Sequence, residues 1–252
     1  MSPEALLALM IVAFYLKDSL LLLRADEAVL VHGLGRLGAS GCRWRAGFGA
    51  RGFKLGGREP YLANPFAPHA PVFRLHWAMQ ATAAPGATGQ KPLAAAPQLA
   101  WLAPFAWLSW ALLFVAIPTT VLAHWGVTAT LAAVALLYAN IAAALVALWF
   151  WRQPLGLAPR AFALLAFECL VCAPYAANLV RRVAWAGTAG EDFTAAAARL
   201  LPPPALAEVH RECLARIDEQ LEAEAEGSPV ALALARARAR FMSAPRPDGD
   251  PA

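Results

Sequence analysis

The sequence predicts an α-helical integral membrane protein: three to four transmembrane helices, a small antiparallel β insertion after the first helix, and a soluble helical-hairpin tail. Three observations predict it. Of the 252 residues, 60% are hydrophobic and 15% charged, well below the quarter or so of charged residues in a soluble domain, and the mean hydropathy is +0.50. No Asp, Glu, Lys or Arg occurs from Pro92 through Trp151. Short runs that alternate apolar and polar residues separate this stretch from an apolar N-terminal segment, the period-two signature of half-buried strands. A core of this size cannot hide so much apolar surface, so part of it must face lipid.

Residues 1–24 read as the first transmembrane helix. Ala5 to Leu23 is long enough to span, although it contains Lys17 and Asp18. Adjacent residues on a helix point in different directions, so these two do not simply neutralise each other. No basic run precedes the segment and no Ala-x-Ala site follows it, which favours an uncleaved anchor over a signal peptide.

Residues 25–83 form a water-facing, β-rich insertion. Cys42, Trp44, Ala46 and Phe48 alternate with Arg43, Arg45 and Gly47, and Phe73, Leu75 and Trp77 alternate with Arg74 and His76. Residues 28–32 (AVLVH) and 52–55 (GFKL) are further expected strands between glycine-rich turns. The aromatic residues Trp44, Phe48 and Phe53 are expected to point inward as the insertion's own core. Asn64-Pro65 and Pro68-His69-Ala70-Pro71 make a stiff connection unsuited to a central strand. Residues 84–100 are a linker, rich in small residues, glycine and proline.

The uncharged run then gives a transmembrane hairpin over 101–151. As one helix the run would be about 90 Å long, roughly three times the hydrocarbon thickness of a bilayer, so it must fold back. His124-Trp125-Gly126 supplies the turn between spans near 101–123 and 127–151. Trp101, Trp107, Trp110, Trp149 and Trp151 are placed as interfacial anchors. Residues 152–182 hold a fourth apolar segment, Ala161 to Val180, with Glu168 inside it and Arg160, Arg181 and Arg182 around it. It either spans or lies as a proline-broken re-entrant segment. In the helical tail, 187–243, Leu206, Val209, Cys213, Ile217 and Leu221 recur at helical spacing on an acidic helix. Gly227-Ser228-Pro229 separates it from a basic helix with Val230, Leu234 and Phe241 on one side, the pattern of an antiparallel hairpin of complementary charge. Residues 244–252 are expected to be disordered.

Charge orients this architecture. Arg24, Arg36, Arg43, Arg45, Arg51, Lys54, Arg58, Arg152 and Arg160 all fall on one side, which the positive-inside rule makes cytoplasmic. The expected location is a cell inner membrane, multi-pass, with 25–99 in the cytoplasm. The Ala, Gly and Pro richness, with three lysines among 21 basic residues, suggests a GC-rich bacterial genome.

Two groups of residues carry what chemistry the sequence offers. The first is an intramembrane polar cluster of Lys17, Asp18, Asn140, Glu168 and Tyr175. A charged group at mid-helix costs a few kcal/mol, so it normally faces the bundle interior with a partner. Lys17 is the expected partner of Glu168, and Asp18 is expected near Tyr138 or Asn140. Such a set can act as a proton relay or ion site, or simply hold helices together. The second is a surface basic patch of Arg43, Arg45, Arg51, Lys54 and Arg58, suited to anionic lipid or a polyanionic partner.

Other patterns carry less. Cys169-x-x-Cys172 lies within an apolar helix, where cysteine behaves as a small hydrophobe, and no further ligands complete a zinc site. Gly33-x-Gly35-x-x-Gly38 lacks the helix a dinucleotide fingerprint needs. His32, His69, His76, His124 and His210 are not arranged as haem ligands on facing helices. No catalytic constellation, metal site or cofactor is expected, and a net charge of +4 is no sign of nucleic acid. The reading that follows is a non-enzymatic membrane component, an accessory or scaffold protein touching lipid and a protein partner or a second copy of itself. The alternatives are an oligomeric small transporter or proton-coupled device using Lys17, Asp18 and Glu168, and a membrane enzyme of unknown type.

Overall fold

A computed structural model describes residues 3–33, 44–77, 93, 96–186, 189–225 and 227–243. The chain is mostly helical, with small sheets, and divides into two compact units. Arg43, Cys42, the glycine pattern beyond Gly33, most of the 84–100 linker and the 244–252 tail lie outside the described residues.

The first unit comprises 1–21, 62–73 and 91–187. Its helices are α1 (Pro3–Asp18), α2 (Ala96–Leu122), α3 (Val127–Trp151), α4 (Pro159–Val171), α5 (Ala173–Ala177) and α6 (Leu179–Ala186). Helices α2 and α3 are the two, among the described residues, long and apolar enough to cross a membrane. Pro118 cannot donate a backbone hydrogen bond, and α2 absorbs the loss by widening into a π-turn over Leu112–Ala116 just before it. The turn to α3 needs left-handed backbone, with φ of +52° at His124 and +89° at Gly126. Along α3, Leu137, Ile141, Ala144, Leu145 and Leu148 are buried in a helical stripe. The opposite faces stay open, with Val127 76% and Phe150 75% exposed. A soluble protein buries the apolar side of such a helix; this one leaves apolar surface uncovered around the turn and along the outer face.

Hairpin closure brings Trp101 and Trp151 together as a stacked pair, 6.4 Å between ring centroids. The Arg152 guanidinium lies 3.5 Å over the Trp149 ring, a cation–π contact. Asn140 donates to the Phe105 carbonyl (2.9 Å) and to Ser109 Oγ (2.9 Å), so its polarity is matched on α2.

The first apolar segment differs from expectation. Helix α1 stops at Asp18, where the Ser19 amide and hydroxyl both return to the Tyr15 carbonyl, and Leu20–Leu23 continue as a strand rather than as helix. At 16 residues, α1 is about 24 Å long, short of the roughly 30 Å hydrocarbon core. The 161–180 stretch is broken ahead of a proline, a break that one of its two expected forms contains. Cys172 leaves helical geometry (φ −129°, ψ 88°) ahead of Pro174, so the segment folds as α4, α5 and the start of α6.

The second unit comprises 22–61, 74–90 and 188–252. The strands are β1 (Leu20–Leu23), β2 (Glu27–His32), β3 (Trp44–Gly47), β4 (Glu59–Leu62), β5 (Val72–His76) and β6 (Ala189–Asp192); β2, β3 and β6 lie wholly in this unit, and β1, β4 and β5 have residues in both. A four-stranded sheet runs in the order β3-β2-β5-β6, and β1 and β4 form a separate two-stranded sheet. Strands β2 and β3 are antiparallel with Val31 opposite Arg45, whereas β6 pairs parallel to β5. Strands β2 and β3 of the insertion and β6 of the tail therefore belong to one unit and one sheet, whereas residues 62–73 of the insertion belong to the first unit. Residues 52–55 are not a strand: Leu55 and Arg58 bridge around Gly56-Gly57, both with positive φ. Helix α7 (Phe193–Leu200) starts on Asp192, whose carboxylate accepts from the Thr194 and Ala195 amides. Helices α8 (Pro203–Ala223) and α9 (Pro229–Ser243) pack antiparallel, with Arg238 on Asp218 at 2.7 Å and Phe241 against His210. Val209, Cys213, Ile217, Leu234, Phe193 and Trp77 are buried.

Candidate functional site

Adjacent residues on a helix diverge by about 100°, and α6 uses this to aim Arg181 and Arg182 at two different polar sets within the helical unit. Arg181 is 1% exposed. One guanidinium nitrogen donates to Ser19 Oγ (3.1 Å) and Asn178 Oδ1 (2.8 Å). The other donates to the Asn64 and Ala67 carbonyls, the latter at 2.8 Å. Asn178 in turn donates to Ser19 Oγ (3.2 Å) and to the Tyr15 carbonyl (3.3 Å), and the Tyr15 hydroxyl donates to the Pro65 carbonyl. A planar cation with five donors suits this task, since it meets several oxygens at fixed angles.

Arg182 faces the carboxylates. Its Nη2 lies 2.8 Å from Glu168 Oε2 and its Nε 3.4 Å from Asp18 Oδ1, and its guanidinium lies 4.2 Å from the centroid of the Tyr175 ring. Three expected members of the polar cluster, Asp18, Glu168 and Tyr175, are thus brought together, by an arginine that sequence reasoning treated as a topology marker. Lys17 is exposed and the ion pair on Glu168 is with Arg182, which corrects the expected Lys17–Glu168 pair. Asn140 belongs to a different site, on Phe105 and Ser109, and does not meet Asp18. The reason is the break at Cys172, which turns the chain so that α6 returns alongside Glu168. The signal available in sequence was the pair of arginines following Pro174 and Asn178. Cys169 is buried and Cys172 partly so, both as free thiols.

In the sheet unit the basic patch resolves into separate roles. Arg45, Lys54 and Arg58 are exposed. Arg51 lies 3.3 Å from Glu212. Trp44 packs edge-on against His32 and Phe48 against Phe193, but Phe53 is exposed, as is Leu55. Phe53 therefore does not join the core expected of it; with Lys54 it precedes the turn that Leu55 and Arg58 bridge around Gly56-Gly57. A residue that sequence reasoning missed is Arg216 on α8, buried. It pairs with the buried Glu59, donates to the Gly49 carbonyl (2.7 Å), holds Glu212 (2.9 Å) and lies over Phe48. Nearby on α8, burial pushes the Cys213 thiol up to about 12, which keeps it protonated and inert. Burial also lowers His210 below its ordinary value.

Among the described residues, no three His, Cys, Asp or Glu side chains are grouped to hold a metal ion. The chain matches no protein-family model, no curated protein and no solved structure.

Proposed function

We propose that this chain is a non-enzymatic, multi-pass protein of a bacterial inner membrane, an anchored scaffold or accessory subunit that meets anionic lipid or a protein partner through its sheet unit. The helical unit is the anchor and residues 25–99, apart from the proline-rich stretch that clusters with the helical unit, face the cytoplasm. The observation that carries this reading is Arg182 closing on both Asp18 and Glu168. A proton or ion path needs carboxylates that can change partner or charge state, whereas these are bound to a cation within the fold, the arrangement of interhelical glue. What the protein offers outward is different in kind: Arg45, Lys54 and Arg58 exposed, with Phe53 and Leu55 exposed beside them. Basic residues around exposed apolar ones suit an anionic surface.

The alternative, an oligomeric transporter or proton-coupled device, draws on the convergence of Asp18 and Glu168 on one site. Purification of the full chain in mild detergent, followed by reconstitution, separates the two. The scaffold reading expects a partner retained at fixed stoichiometry and lost from Lys54→Glu/Arg58→Glu, with no flux in liposomes. A homo-oligomer that moves protons, and stops in Glu168→Gln, overturns it.

A further inference from the structure

Residues 60–73, PYLANPFAPHAPVF, contain no Asp, Glu, Lys or Arg. They sit between two parts of the sheet unit in sequence, yet residues 62–73 cluster with the helical unit instead. Their depth along the hairpin can be read from side-chain contacts. Asn140 stands at the midpoint of α3 and bonds to Phe105 and Ser109, so that part of α2 is level with the centre of the hairpin. His69 stacks on Trp107, 5.3 Å between centroids, within that same stretch. Tyr15, whose hydroxyl bonds the Pro65 carbonyl, packs edge-on against Phe114 at 4.9 Å. Phe114 lies about 8 Å beyond Ser109 along the axis, toward the turn.

An irregular, proline-rich loop is tolerated at such a depth on one condition: its backbone carbonyls must be satisfied from within the protein. They are. Arg181 takes those of Asn64 and Ala67, Tyr15 takes that of Pro65, and Asn64 Oδ1 accepts from the Phe66 amide at 3.0 Å. Ala63, Pro68, Ala70 and Val72 are buried inward, while Phe66 at the tip is 73% exposed. On α2, which His69 meets at Trp107, Trp107, Leu108 and Val115 are also exposed.

We infer that residues 63–71 form a loop embedded in the bilayer at hydrocarbon depth, with Phe66 against lipid acyl chains and Arg181 as the buried clamp that makes the loop possible. This rests on the reading of α2 and α3 as a membrane-crossing hairpin. The loop adds a third contact with lipid to a helical unit in which α1 and α4 are too short to cross alone.

The test is photo-crosslinking of the full chain in vesicles of phosphatidylethanolamine and phosphatidylglycerol. A benzophenone-bearing phenylalanine analogue is placed singly at position 66 and, as the reference, at position 146, where Val146 lies on the exposed face of α3. Acyl-chain adducts are then read by mass spectrometry. The inference expects lipid adducts at both positions in comparable yield. Adducts at 146 with none at 66 overturn the embedded loop and leave the hairpin standing. No adduct at either position overturns the membrane-crossing hairpin itself, and the loop with it.

Discussion

Arg216 shows at the scale of one residue how this chain holds polar groups out of water. Its guanidinium and the Glu59 carboxylate are both buried, and burial of either charge alone is costly. The Gly49 carbonyl and Glu212 take the remaining donors, which is why the arrangement is tolerated. Removal of one partner strands the other. Arg216→Met is expected to destabilise the sheet unit by about 3–5 kcal/mol, read as urea-dependent proteolysis at Arg51, Lys54 and Arg58. The double variant Arg216→Met/Glu59→Gln replaces the stranded charge with a neutral amide and is expected to recover a substantial part of the loss. A double variant no better than the single one would mean that the pair itself is not what the site requires.

The elements differ in how far the sequence announced them, and the differences have physical causes. The hairpin of α2 and α3 was legible because a long run without charge admits few folds other than a turn-back. Strands β3 and β5 were legible from alternation, and β2 as an apolar run beside a glycine-rich turn. Strand β6 was not: Ala-Gly-Glu-Asp has little intrinsic strand preference, and it is made a strand by pairing with β5. The convergence of Asp18, Glu168 and Arg182 was half legible. The carboxylates stood out against apolar surroundings, but their cation depended on a chain reversal at Cys172 that periodicity alone does not give. The α8–α9 hairpin was legible from its spacing and charge, and it carries a pH dependence that was not. His210, edge-on to Phe241, titrates below its ordinary 6.5 because burial disfavours the imidazolium. The unfolded chain then binds a proton that the folded one resists. Stability from this residue is complete above 6.5 and falls away as pH drops through that value toward the folded pKa. Hydrogen exchange in α9, corrected for intrinsic rate, is expected to speed up between pH 7.5 and 5.5. His210→Phe, which keeps the ring contact without the titration, is expected to remove that change; an unchanged pH response in this variant would place the cause elsewhere.

On the scale of the whole molecule, sequence order and structural order part company. The chain passes between the two units repeatedly, so neither is a continuous stretch. The sheet unit takes β2 and β3 from the insertion, but it takes β6, α7 and the Arg216 that pairs with Glu59 from the last quarter of the chain. The helical unit takes α1, residues 62–73 and α2 to α6. A truncation therefore has an outcome that a linear domain map would not give. On a linear map, removal of residues 188–252 deletes a tail and leaves the insertion whole. In this fold it removes a strand from the edge of the β3-β2-β5-β6 sheet, uncovers the buried Phe48 contact with Phe193, and leaves Glu59 without its cation. Residues 44–61 are then expected to become protease-sensitive at Arg45, Arg51, Lys54 and Arg58. The polar network of Arg181 and Arg182 lies wholly within the retained helical unit, so the truncated chain is expected to stay in the membrane through an alkaline carbonate wash. Limited trypsin digestion of membrane vesicles before and after the wash reads both expectations. Continued protection of 44–61 in the truncated chain would mean that the insertion folds by itself and that the shared sheet is not what stabilises it.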